Sequence, residues 1–223
     1  MNRALLQFEV NLQSARRLGF IYLAFVDKFT EAITLDDLLR AELVLAVSAV
    51  DCYIHDVVRV GMTRCFSAVG GEPNAYLNFG VSLGLAKRIA AEASEPVRLA
   101  LVEEEIRRLH GFRTFQNAEN ISQALALIGV KSIWDKVGIS LSIRPSDVRT
   151  RLDIIVDRRN RIAHESDVDP TMGIGMKYPI DHPMVQQAVN FLEQMVKASY
   201  CSALCLRGSR QKGEDISGKL TLC

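Results

Sequence analysis

Apolar residues recur at helical spacing along most of this 223-residue chain, and no run alternates apolar and polar positions for long enough to make a strand. Leu5, Phe8, Leu12, Ala15, Leu18 and Tyr22 predict a first helix over residues 2–28, with Gly19 marking a bend. Thr34 and Asp37 then form a capping-box pattern that opens a second helix reaching Phe66. Between Leu43 and Val60 this helix is apolar on nearly every side, which predicts the central and most buried element of the fold. Its exceptions are Ser48, Asp51, His55 and Arg59, spaced so that they make one polar stripe along the helix. The stripe either faces water, with Asp51 and His55 paired, or faces a functional site.

The segment Gly70-Gly71-Glu72-Pro73-Asn74 breaks the pattern. Beyond it, residues 82–93 and 96–110 predict two helices, the second capped by Ser94 with Pro96 in its first turn. Glu103, Glu104 and Glu105 ahead of Arg107 and Arg108 suit an exposed face. His110, next to Gly111, suits a cation complementing the helix dipole. Residues 117–128 predict a short helix stopped by Gly129, and Trp134 a core anchor. Pro145-Ser146-Asp147 opens another helix with Ser146 as its cap, and this helix carries the chain to His164. Residues 165–180, rich in Asp, Gly and Pro, form a connection long enough to be functional or mobile. Asp181 caps a final helix that presents Val185, Val189, Leu192 and Val196 on one face. From Arg207 onward Gly, Ser, Lys, Glu and Asp dominate and predict disorder. The expectation is an all-α domain over residues 1–206 with a tail over 207–223.

Composition narrows the picture. A 48% hydrophobic content at this length suits one core. A net charge of +1 offers no broad basic footprint, so any contact with nucleic acid should be local. Five scattered cysteines argue against a disulfide framework or a zinc site and fit a reducing, cytoplasmic setting. No apolar run reaches the roughly 18 residues of a membrane span, and no signal-peptide layout opens the chain. Glu165, Asp167 and Asp169 match neither a calcium loop nor a zinc set, so no metal or other cofactor is expected.

The stretch Asp157-Arg158-Arg159-Asn160-Arg161-Ile162-Ala163-His164-Glu165 concentrates the candidate chemistry. At 100° per residue, Val148, Leu152, Ile155 and Ile162 fall within a band about 80° wide, with Arg159 near its centre. A guanidinium on an apolar face calls for an acid, carbonyls or a phosphate. Arg158 and Arg161 point away from the band and are expected to be solvated. On a regular helix His164 lies roughly 140° around from Arg159, so the helix must end or bend near Ala163, or a second chain must complete the site.

Arginine, a polar Asn160, three more residues and histidine resemble the signature of HEPN domains, in which four to six residues separate arginine from histidine. Four intervene from Arg159 and five from Arg158; Asn160 and the apolar face favour Arg159. Residues 41–54, AELVLAVSAVDCYI, resemble the long second helix of the RiboL-PSP branch, with Asp51 at a position that is often acidic there. Gln116-Asn117-Ala118-Glu119-Asn120-Ile121, then Leu125 to Val130 and Ile133-Trp134, resemble its middle segment. The matches run in order from about Leu38 to His164.

The resemblance implies a HEPN-like bundle acting as a metal-independent endoribonuclease, a toxin or phage-defence effector whose partners are RNA, a second copy of the chain and an antitoxin or defence protein. Histidine titrates near neutrality and suits proton transfer, while arginine's fork suits a phosphate. His164 would then be the acid/base group, Arg159 the phosphate clamp, and Asn160 a residue that orients His164 or binds a phosphate oxygen. Ser48, Asp51 and His55 would support them. Two alternatives stand beside this reading. In one, His164 caps its helix and Arg159 forms a buried bridge to an acid such as Asp51. In the other, the domain is a catalytically silent module for dimerisation or for nucleotide or RNA binding.

Overall fold

The computed structural model describes residues 2–28, 35–68 and 70–217, with side chains placed as far as Tyr200. The described residues form helices α1 (Asn2–Phe25), α2 (Asp36–Ser67), α3 (Asn74–Leu77), α4 (Leu83–Ala91), α5 (Glu95–His110), α6 (Ala118–Ala126), α7 (Ile133–Leu141), α8 (Pro145–Glu165) and α9 (His182–Ser217). Their only β pairing is an isolated bridge between Val168 and Lys177. The fold is all-α, and no described helix is long and apolar enough to cross a membrane.

α2 is the axis of the bundle, packed against α1, α5, α6, α8 and α9. Its Leu39, Leu43, Val47, Val50, Ile54, Val57 and Met62 are buried, as an element apolar on nearly every side requires. Each such side chain contributes about 1.5–3 kcal/mol through burial. Gly61 lets α2 approach the end of α6 closely, because a Cβ there would collide with Ile128. α1 lies along α2 through Ala4, Phe8, Leu12 and Ala15 and runs unbroken past Gly19. That glycine does not bend the helix; it leaves room for the Glu42 carboxyl of α2.

Several local expectations shift. Thr34 lies outside the described residues. Ser146 does not cap α8: Arg144 holds that position, and the Ser146 hydroxyl bonds to Asp147. Asp181 does cap α9, accepting from the Met184 N–H at 2.7 Å. Trp134 is buried in α7, where its indole N–H donates to the Ser122 hydroxyl. α9 continues as helix to Ser217, past the boundary expected at Arg207, and residues 218–223 lie outside the description.

α8 stops without a glycine. Ser166 and Asp167 both take left-handed backbone angles, φ 54° and 59°, and the Asp167 N–H bonds back to the Arg161 carbonyl. The connection then doubles back on itself: Asp169 N–H bonds to Met176 O, and Tyr178 N–H to Asp167 O. Gly173 and Gly175, at φ 103° and 80°, supply the turn between these two arms.

Candidate active site at the end of helix α8

Arg158 overturns the expectation of a solvated charge. Its Nη2 donates to Asp167 Oδ2 at 2.8 Å and to the carbonyls of Tyr178 and Pro179, each at 3.1 Å. Arg40 of α2 reaches the same carboxyl oxygen through Nε at 2.8 Å and donates to Tyr178 O through Nη2. Asp167 is wholly buried, Arg40 nearly so, and Arg158 half-buried. Helical geometry did not foretell this, because the acid lies beyond the helix, on the chain after its left-handed turn. Burial pulls the Arg158 guanidinium below its usual range and the Asp167 charge opposes that pull. Arg161 stays exposed, its guanidinium over the Tyr178 ring.

Arg159 has the opposite environment. It is half-buried, its Nη1 donates to Asn160 Oδ1 at 3.0 Å, and its enclosed Nε, like that of Arg158, has no partner. Among the described residues no carboxylate pairs with it. The alternative bridge to Asp51 is absent: Asp51 accepts from Phe115 N–H at 2.6 Å and from the Gln116 side-chain amide at 3.1 Å. Asn160 is thus spent on its neighbouring arginine and not on His164. His164 stands exposed in the last turn of α8. Because α8 runs unbroken to Glu165, the end or bend expected near Ala163 does not occur, and the two side chains stay roughly 140° apart on one chain.

The α2 stripe does not converge on Arg159. Ser48 bonds back to the Val44 carbonyl in its own helix. His55 lies against the Phe115 ring with Nε2 at 3.2 Å from Arg113 O, and Arg59 pairs with Asp56 and Glu103. Of the stripe, Asp51 and His55 fasten the segment between α5 and α6. The motif helix holds the other end of that segment, since Asp153 Oδ1 accepts from Ala118 N–H at 3.0 Å. The stripe therefore reaches α8 through this segment and not by direct contact.

His110 also departs from expectation. It is 2% exposed, packed against Phe79, Phe115 and His55, with neither ring nitrogen hydrogen-bonded. Burial, helped by His55 and Arg113, pulls its pKa down to about 4, so it is a neutral core residue and not a dipole-capping cation. Among the described residues no three His, Cys, Asp or Glu side chains group as metal ligands. Asp167 is closed off by its arginines, and Asp169 binds the backbone and hydroxyl of Thr171. Cys52 and Cys65 are free thiols. No family model, curated protein or solved structure matches the chain.

Proposed function

We propose that the protein is a metal-independent endoribonuclease of the HEPN type, acting as a homodimer in which Arg159 and His164 from two chains meet at one cleft. The observation that carries this reading is the contrast between adjacent arginines. Arg158 is consumed by Asp167, whereas Arg159 keeps a half-buried charge with no acid to neutralise it. Such a group is set to take a phosphate, which supplies charge and paired acceptor oxygens together. Asn160 fixes the guanidinium plane from one side. His164 is accessible for proton transfer, and the angle separating it from Arg159 is resolved when a two-fold axis sets each motif beside its copy.

In this mechanism one histidine removes the 2′-hydroxyl proton and its oxygen attacks the phosphorus. The 5′-oxygen leaves with a proton from the second histidine, giving a 2′,3′-cyclic phosphate. Arg159 holds the phosphorane charge. RNA is the substrate, and no cofactor enters.

The deciding experiment incubates the purified protein with total RNA in EDTA beside His164→Ala, Arg159→Lys and Arg158→Ala. Cleavage with cyclic-phosphate ends is expected. His164→Ala should lose at least about a hundredfold, the lower range of an acid/base contribution, without a fall in Tm. Arg159→Lys, which lacks the fork, should be similarly impaired. DNA and 2′-O-methylated RNA should resist. Undiminished cleavage by folded His164 and Arg159 variants would remove the assignment. The divergence of the two side chains on one chain favours a second reading, a silent dimerisation module, which a folded dimer without cleavage would establish.

A further inference from the structure

α2, α3, α4 and α5 line a half-open pocket of about 240 Å³ on the side of the molecule served by Met62 and Ile106, with Leu77 and Val81 at its exposed rim. α4 has an apolar face, yet Leu85 is its one buried residue, and with Ile89 it forms one wall of this pocket. The walls are aliphatic and aromatic, with Tyr76, Leu85 and Val102 facing the space. Water in so apolar a pocket finds few partners, which favours its displacement by an apolar molecule.

Two polar groups mark the cavity. Glu105 lines it, and both of its oxygens accept from Arg108, each at 2.7 Å. Arg108 holds this carboxyl below its usual range, so it remains an acceptor with spare lone pairs but brings no unpaired charge. Beyond Phe79, which also lines the space, stands His110 with both nitrogens unpartnered and its ring edge-on to Phe79 at 5.5 Å.

We propose that this cavity binds a small neutral molecule, mainly apolar and about two fused rings in size, that donates one hydrogen bond to Glu105. An apolar cavity of about 150 Å³ holds a benzene ring, so the larger space here suits a bicyclic body. An ionised ligand is disfavoured because it would be desolvated without meeting an unpaired opposite charge. The site stands apart from α8 and does not depend on the nuclease reading.

Indole serves as the probe, measured by titration calorimetry on the full chain and by soaking crystals. Saturable binding is expected, with the ring seated between α2, α4 and α5. Val102→Phe, which projects a phenyl group into the space, should weaken binding at least tenfold while keeping the wild-type circular-dichroism spectrum. Indole-3-acetate, which is ionised at neutral pH, should bind at least tenfold more weakly than indole. If Val102→Phe fails to fold, the wild-type soak decides by itself. No saturable binding up to the solubility of indole, a ring located elsewhere, or equal binding of the ionised analogue would overturn the proposal.

Discussion

Glu42 is enclosed between α1, α2 and α9, with one carboxyl oxygen bonded to Gln186 at 2.8 Å and the other to nothing. Burial raises its pKa to about 6. The native state therefore holds this proton more tightly than the unfolded chain, and stability falls as pH rises from about 4.5 to 6, then stays low. Glu42→Gln should stabilise the protein above pH 6 by about 2 kcal/mol in urea unfolding. His110 acts in the opposite sense. Its lowered pKa means the unfolded chain takes up the proton first, so stability is lost as pH falls from 6.5 towards 4. The two slopes oppose each other between pH 4.5 and 6. In Glu42→Gln stability should climb with pH across that window, and in His110→Phe it should decline. Equal profiles in both variants would show that neither group is responsible. Neither residue's state was legible in the sequence: Glu42 sits on an apolar helix, and His110 reads as a cap, until the packing of distant helices removes both from water.

α8 shows what helical periodicity can and cannot convey. The element itself and the apolar band of Val148, Leu152 and Ile155 were legible, because spacing within one helix decides them. The end of the helix was not. Arg40 and Asp167 are 127 positions apart, and no local pattern announces a pair of that separation. The reading of Arg158 as solvated failed for the same reason. α7 escaped notice except for Trp134. Asp167→Ala should leave two facing guanidiniums without their carboxylate and cost on the order of 3–5 kcal/mol in thermal or urea unfolding. Faster hydrogen exchange at the amides of residues 161–165 should accompany it, because the carboxylate ties the left-handed turn that ends α8 to Arg158 and Arg40. Gly61→Ala tests a different contact: the added methyl group meets Ile128, and overpacking should cost about 1–3 kcal/mol.

At the scale of the whole molecule, an all-α body around α2 follows from how completely that helix is apolar. Which helices touch it, and that Asp51 serves the connection before α6, follow only from three-dimensional packing. The proposed two-chain site makes a prediction that no single-chain site shares. Wild-type chains mixed with an equal amount of His164→Ala should give about a quarter of the cleavage of the same total amount of wild-type protein, because only a quarter of randomly paired dimers carry both histidines, whereas half would remain if each chain worked alone. Retention of half, with subunit exchange verified by mass spectrometry, would place the chemistry within one chain. The Arg40–Asp167–Arg158 cluster also bears on how the molecule comes into being. A ribosome delivers Arg40 127 residues before the Asp167 carboxylate, so until then the nascent protein has only the exposed Asp37 to answer this cation at the start of its central helix. Chains released before Asp167 would lack this tie between α2 and α8, and the motif would gain a fixed helix end only once Asp167 has been made.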